Sequence, residues 1–282
     1  MPRVSVVIPS LTGDVAQARA SLDRQTITDW ELCVVTGVRP AGRARNSGVS
    51  QTTADLILFL DDDAEFGHER VLEAMLAEMT SPDIAVVGSS RVLPPMNTRL
   101  QRRIMREVAR WESPILNTSL ESNPPLDRYG FSEATTTCCL VRRSALVDVG
   151  GFDERLTTGE DPELFYRLRR AGYRFIVPAQ AWTYHAPPAR LDRFLVKCFH
   201  YGAGHAQEAW LEPSRGMGFV PSGRVSAVLL MVSAPLLLVP MMFVDIQTQP
   251  QRRIRPAFRP LQALARVATM YGYAWASWSH RD

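Results

Sequence analysis

Cysteine is scarce in this chain of 282 residues, and its placement excludes a disulfide framework. The four residues are Cys33, Cys138, Cys139 and Cys198; no CxxC pair occurs, and adjacent Cys138 and Cys139 are poor partners geometrically. They read as reduced core thiols, which suits a reducing compartment such as a cytoplasm. The start, "MPRVSVVIPS", lacks an apolar run long enough for a secretory signal and has a proline inside its strand-like stretch, so no export from this end is expected. Charge of one sign is also missing. A formal net charge of +3 and a pI near 8.8 are too mild to argue for nucleic acid, although anionic ligands stay open. With 46% apolar and 22% charged residues, disorder is not the default either.

What is present is an alternation. "VSVVIP" is a short β-branched run ended by Pro9, "WELCVV" and "ADLILFL" are further strands, and "IAVVGSSRVL" is strand-like. Helical stretches fall between them, at about Val15 to Gln25, after the loop "TGVRPAGRARNSG", and in "VLEAMLAEM". Strand and helix in turn predict a mostly parallel, Rossmann-like α/β sheet flanked by helices. In such sheets ligands collect at strand C-termini.

The third strand runs "LILFLDDDAEF", so Asp61, Asp62 and Asp63 fall where it leaves the sheet. Alternation along a strand lets Asp61 and Asp63 share one side while Asp62 faces away. Such a pair either forms an acidic turn or cap, or holds a divalent cation against a phosphate-bearing ligand, for which hard oxygen donors suit Mg²⁺ or Mn²⁺. In "PAGRARNSG", Arg43, Arg45, Asn46 and Gly48 offer donors near a helix start, a setting for a diphosphate or nucleoside as well as for ordinary surface arginines. Downstream, "VGGFDERLTTGEDPELFYRLRRAGYRF" gives a turn at Gly150 and Gly151, then a helix opened by acids and Pro162 and closed by Gly172. Glu160 and Asp161 sit at its N-terminus, where a carboxylate complements the helix dipole or serves as a general base.

Taken in order, "VSVVIPS", "ARNSG", "FLDDD" and "GGFDERLTTGEDPEL" resemble the family 2 glycosyltransferases, which have the GT-A fold, over roughly Val4 to Pro187. The resemblance implies a nucleoside-diphosphate sugar donor and transfer with inversion. It implies that Pro9, Arg45, Asn46, Asp61 and Asp62 line the donor, and that Asp61 and Asp63 form the DxD element, with Asp63 the direct metal ligand. Asp161 becomes the catalytic base, and His185 in "WTYHAPP" matches a histidine that can complete a site for Mn²⁺ or Mg²⁺; a structural histidine at a strand end is the other reading. The acceptor is a glycan, a lipid-linked species or a small molecule. One departure stands out: "CVVTGVRPAG" supplies Thr36 where many members carry an acidic pair for the nucleobase. Thr135 to Thr137 either hydrogen-bond a sugar or populate a strand.

The sequence divides into a glycosyltransferase domain over 1–190 and a helical extension over 191–282. "RLDRFLVKCFHYGAGHAQ" suggests a helix with a glycine-containing turn, whose Arg193, Lys197 and His200 either approach a diphosphate or form a solvated basic face. Val225 to Val244 is uncharged, long enough to cross a hydrocarbon core, and interrupted by Pro235 and Pro240. Arg252, Arg253, Arg255 and Arg259 follow it, with Trp275 and Trp278 near the end. These features predict a transmembrane, re-entrant or interfacial segment at the inner face of a cell membrane, or else a buried hairpin or dimer-forming helix. A phosphohydrolase is disfavoured, because no aspartyl-nucleophile signature follows Asp63. A catalytically silent GT-A-like scaffold that binds a nucleotide or a partner is the remaining alternative.

Overall fold

The structure is a computed structural model that describes residues 2–108, 113–121, 134–211, 223–247 and 253–279; Arg252 lies outside them. The chain forms two compact units, one of 1–94 with 112–186 and one of 95–111 with 187–282.

The first unit opens with β1 (Val4–Ser10), α1 (Ala16–Asp23), β2 (Trp30–Thr36), α2 (Ala41–Ser50) and β3 (Leu56–Leu60), the alternation that the apolar runs predict. It continues with β4 (Ala64–Phe66), α3 (Val71–Ala77), β5 (Ile84–Gly88) and β6 (Ser90–Val92). After α4 (Arg99–Glu107), which belongs to the other unit, come β7 (Leu120–Glu121), β8 (Cys138–Arg142), α5 (Arg143–Asp148), α6 (Glu160–Arg170), β9 (Arg174–Val177) and β10 (Trp182–His185). The central sheet has seven strands in the order β2-β1-β3-β8-β5-β9-β7. Its pairings are parallel except those made by β8 and β7, so the sheet is mostly parallel.

Both faces of the sheet are covered, which is why its strands read as continuous apolar runs rather than alternating ones. Leu58, Leu60 and Cys138 belong to one buried cluster with α1 and α3, and Ile57, Phe59 and Cys139 to the other with α5 and α6. The two adjacent cysteines therefore point to opposite cores, and all four cysteines are free. Pro9 does not end its strand; β1 continues to Ser10 beside β2. On the other flank the β3 pairing reaches only Val7, so the missing N–H of Pro9 breaks no ladder bond there. The run "IAVVGSSRVL" splits at Ser89: β5 stays in the large sheet, while β6 joins β10 and β4 in a three-stranded sheet.

In the second unit, α7 (Leu191–Leu211) is followed by α8 (Arg224–Ser233), a 3-10 turn (Ala234–Leu237), α9 (Leu238–Met242), the hairpin β11 (Val244–Gln247) with β12 (Arg253–Pro256), and α10 (Pro260–Ser279). The expected boundary at 190 leaves out α4. That helix carries a Thr98 capping box, and its Gln101 amide donates to the Pro187 carbonyl at 2.8 Å. The expected turn in "HYGAGHAQ" is not there either. α7 continues through Gly202 and Gly204, and the lack of a side chain at Gly202 lets α10 approach its backbone.

Candidate active site

The three aspartates occupy a turn at the C-terminal edge of the sheet. The Asp61 N–H donates to the Thr137 carbonyl at 3.0 Å, and the Ala64 N–H donates to the Asp61 carbonyl at 3.1 Å. The oily strand β3 is thus an anchor, and the turn lifts the charges to the rim. His185 comes from β10, whose antiparallel pairing with β4 sets it opposite Ala64 and so beside the aspartates. Its Nε2 lies 3.4 Å from Asp63 Oδ1. One ligand atom each from Asp61, Asp63 and His185 fall within 4.8 Å of one another. Two carboxylates and one imidazole form a donor set that fits a divalent ion such as Mn²⁺ or Mg²⁺.

Asp62 turns elsewhere. Burial pushes its carboxyl pKa up, while the Ser10 hydroxyl next to Pro9 donates to it and opposes that rise. Ser10 Oγ also accepts from the Gly13 N–H at 3.0 Å, and the Ser10 carbonyl from the Gly37 N–H at 2.9 Å, so the ends of β1 and β2 are tied together here. Thr36, the last residue of β2, is exposed.

Arg45 is the link between the distant motifs. From α2, its Nη2 donates to Asp61 Oδ1 at 2.9 Å and its Nη1 to Glu160 Oε1 at 2.6 Å, with the side chain 5% exposed. Its guanidinium also lies 5.7 Å from the centre of the Phe152 ring. Asn46 clasps the loop before α6: its Nδ2 donates to the Phe152 carbonyl at 2.9 Å and to Glu154 Oε1 at 3.0 Å, and its Oδ1 accepts from the Phe152 N–H at 3.0 Å. Arg43 pairs with Glu154 at 3.0 Å on the surface. The "ARN" run therefore joins the aspartate turn to the "GED" segment.

α6 starts after Gly159, whose φ of 83° is a left-handed conformation that favours glycine. Glu160 is buried against Arg45, and Asp161 follows it in the first turn. Burial is the main reason that the Asp161 carboxyl is pushed up to about 7; the negative charges of Glu160 and Asp61 add to the rise, and Arg45 and Arg91 oppose it. Arg91, on β6, was not expected at the site, because nothing in "GSSRVL" marks it. Thr135 to Thr137 precede β8 rather than forming strand, and Thr136 and Thr137 are buried. Arg193, Lys197 and His200 lie on α7 in the second unit.

A mostly parallel sheet that gathers an acidic turn able to hold a metal, a buried arginine and a raised carboxyl at one edge is the arrangement of a GT-A fold. The fold is shared with a mannosyltransferase of Pyrobaculum calidifontis, solved in complex with GDP-Man and Mn²⁺, at a TM-score of 0.54 and 14% identity over 97% of this chain and 86% of that one. The description "Glycosyltransferase like family 2" matches residues 36–201, and the chain belongs to the family 2 glycosyltransferases. It is 30% identical over 220 residues to a pre-mycofactocin glycosyltransferase of Mycobacterium tuberculosis, covering 77% of this chain and 45% of the relative. An O-antigen chain rhamnosyltransferase of Salmonella anatum is 25% identical over 62% of this chain and 55% of its own. The chain thus spans about half the length of these relatives.

Proposed function

We propose that the chain is an inverting glycosyltransferase that moves a sugar from a nucleoside diphosphate to an acceptor hydroxyl in one displacement. The observation that carries this is the Arg45 bridge, which couples Asp61 of the metal-binding cluster to Glu160, the neighbour of Asp161. In this reading Asp63, Asp61 and His185 hold Mn²⁺ or Mg²⁺, which supplies neutralising charge for the donor diphosphate. Pro9, Asp62, Asn46 and Arg45 shape the donor side, the last two by holding the turn and loop in register.

Asp161 is the base. It removes the proton of the acceptor hydroxyl as that oxygen bonds to the anomeric carbon from the face opposite the diphosphate, and the bond to the leaving phosphate oxygen breaks in the same step. Burial suits this role, since a carboxyl raised towards neutrality is a stronger base than an exposed one. The acceptor is a glycan, a lipid-linked precursor or a small molecule, met at the cytoplasmic face of a membrane with which the second unit associates. The relatives named for O-antigen and pre-mycofactocin chemistry support a role in building glycans or glycosylated small molecules.

A thermal-shift screen against UDP-, dTDP- and GDP-sugars, each with and without Mn²⁺, tests the donor assignment. One nucleotide should raise the midpoint only with metal, and Asp63→Ala should remove that rise. A folded protein that answers to none of the donors would favour the silent scaffold, for which Thr36 in place of a base-binding acid is the supporting observation.

A further inference from the structure

Val225, Leu229, Val232, Leu236, Val239 and Phe243 follow one another by alternating steps of four and three, so they form one stripe along α8, the 3-10 turn and α9. Each is between 57% and 76% exposed. Ala227 and Ala234 are buried instead, and α10 packs along this helical segment. Small residues inside and large aliphatic ones outside invert the order expected of a helix in water.

Arginines stand at both ends of the stripe and on a helix packed beside α10. Arg224 stands at the start of the stripe, 5.7 Å from the centre of the half-exposed Trp278 ring. At the other end the Ala257 N–H donates to the Phe243 carbonyl and the Arg259 N–H to the Met242 carbonyl, which sets Arg259 beside the end of α9. α4 adds Arg99, Arg102, Arg103 and Arg106, all exposed and spaced to share one helix face. Its Glu107 Oε2 accepts from the Leu261 N–H at 2.8 Å, so α4 is tied to the first turn of α10, the end that also meets α9.

We propose that the second unit seats on an anionic lipid surface, with the outward stripe of α8 and α9 lying in the plane of one leaflet and the arginines of α4 and of both helix ends among its headgroups. This rests on the membrane reading above and adds the mode of attachment. α10 runs antiparallel along the segment, since Trp278 meets Arg224 and the Arg259 N–H donates to the Met242 carbonyl. α7 packs on α10 in turn. A transverse span would carry Arg266, Lys197 and Glu208 of these two helices into the hydrocarbon, whereas an in-plane seat immerses only the stripe. A second copy fits worse, because both ends of the stripe are basic and either orientation sets arginine against arginine.

Flotation of the full chain with vesicles tests this. Equal parts of phosphatidylcholine and phosphatidylglycerol should bind it on the order of tenfold more tightly than phosphatidylcholine alone, and alkaline carbonate should release it. Leu229→Glu with Leu236→Glu should abolish flotation and Arg102→Gln with Arg106→Gln should weaken it, both at unchanged thermal midpoint because these side chains are exposed. Asp161→Asn should float as the parent does, which separates this outcome from a failed transfer assay. Retention after carbonate would place the helix through the bilayer and overturn the in-plane seat while sparing the membrane reading. Equal binding to both vesicles would remove the arginines' role. No binding to either, together with a dimer that the double glutamate variant dissociates, would overturn both readings and assign the stripe to a second copy.

Discussion

Asp161 carries two opposing demands that a single substitution separates. Its folded pKa of about 7 lies above the model-peptide 3.8, so the folded state prefers the protonated carboxyl. Ionising it therefore costs stability, and that cost grows from about pH 4 to about pH 7 and then levels. Asp161→Asn cannot ionise and escapes the cost. Its thermal midpoint should draw ahead of the parent's as pH rises through that window and keep a constant lead above it. Transfer should fall by about 10²–10⁴-fold with donor binding retained, as expected for the loss of a general base. A variant with parental turnover, or with a midpoint difference independent of pH, would remove the base assignment or its burial.

At the scale of elements, the α7 and α10 pair shows what glycine does in a helix interior. A methyl on Gly202 would run into the Thr269 carbonyl, and one on Gly272 into the Phe199 carbonyl, so the two backbones touch where side chains normally intervene. Gly202→Ala and Gly272→Ala should each lower stability by about 1–3 kcal/mol, the usual cost of overpacking, although alanine is the better helix former. Urea unfolding followed by circular dichroism would show it; a gain in midpoint would mean that the helices do not sit this close. The same residues explain where sequence reading fails. Short motifs such as "FLDDD" and "GED" are legible because a strand end or a helix start places them by itself. "HYGAGHAQ" is not, because glycine signals a turn locally and close packing only when the partner helix is known. The insertion of antiparallel β8 between β3 and β5, the split of "IAVVGSSRVL" over two sheets and the joining of Arg45 to Glu160 likewise depend on chain segments far apart in sequence.

On the proposed reading the molecule divides its work between its two units, and that division has a measurable consequence. The aspartate turn, Arg45, Asp161 and His185 all belong to the first unit, while the exposed stripe and the arginine face of α4 belong to the second. The residues proposed for metal-linked donor binding and for vesicle binding do not overlap. Asp63→Ala should lose the Mn²⁺-dependent rise in thermal midpoint yet float with anionic vesicles as the parent does. Leu229→Glu with Leu236→Glu should show the reverse. If either variant lost both properties while keeping the parental circular dichroism spectrum, donor and lipid binding would be coupled through the chain, and the attachment would be part of the catalytic cycle rather than a means of holding the enzyme near its acceptor.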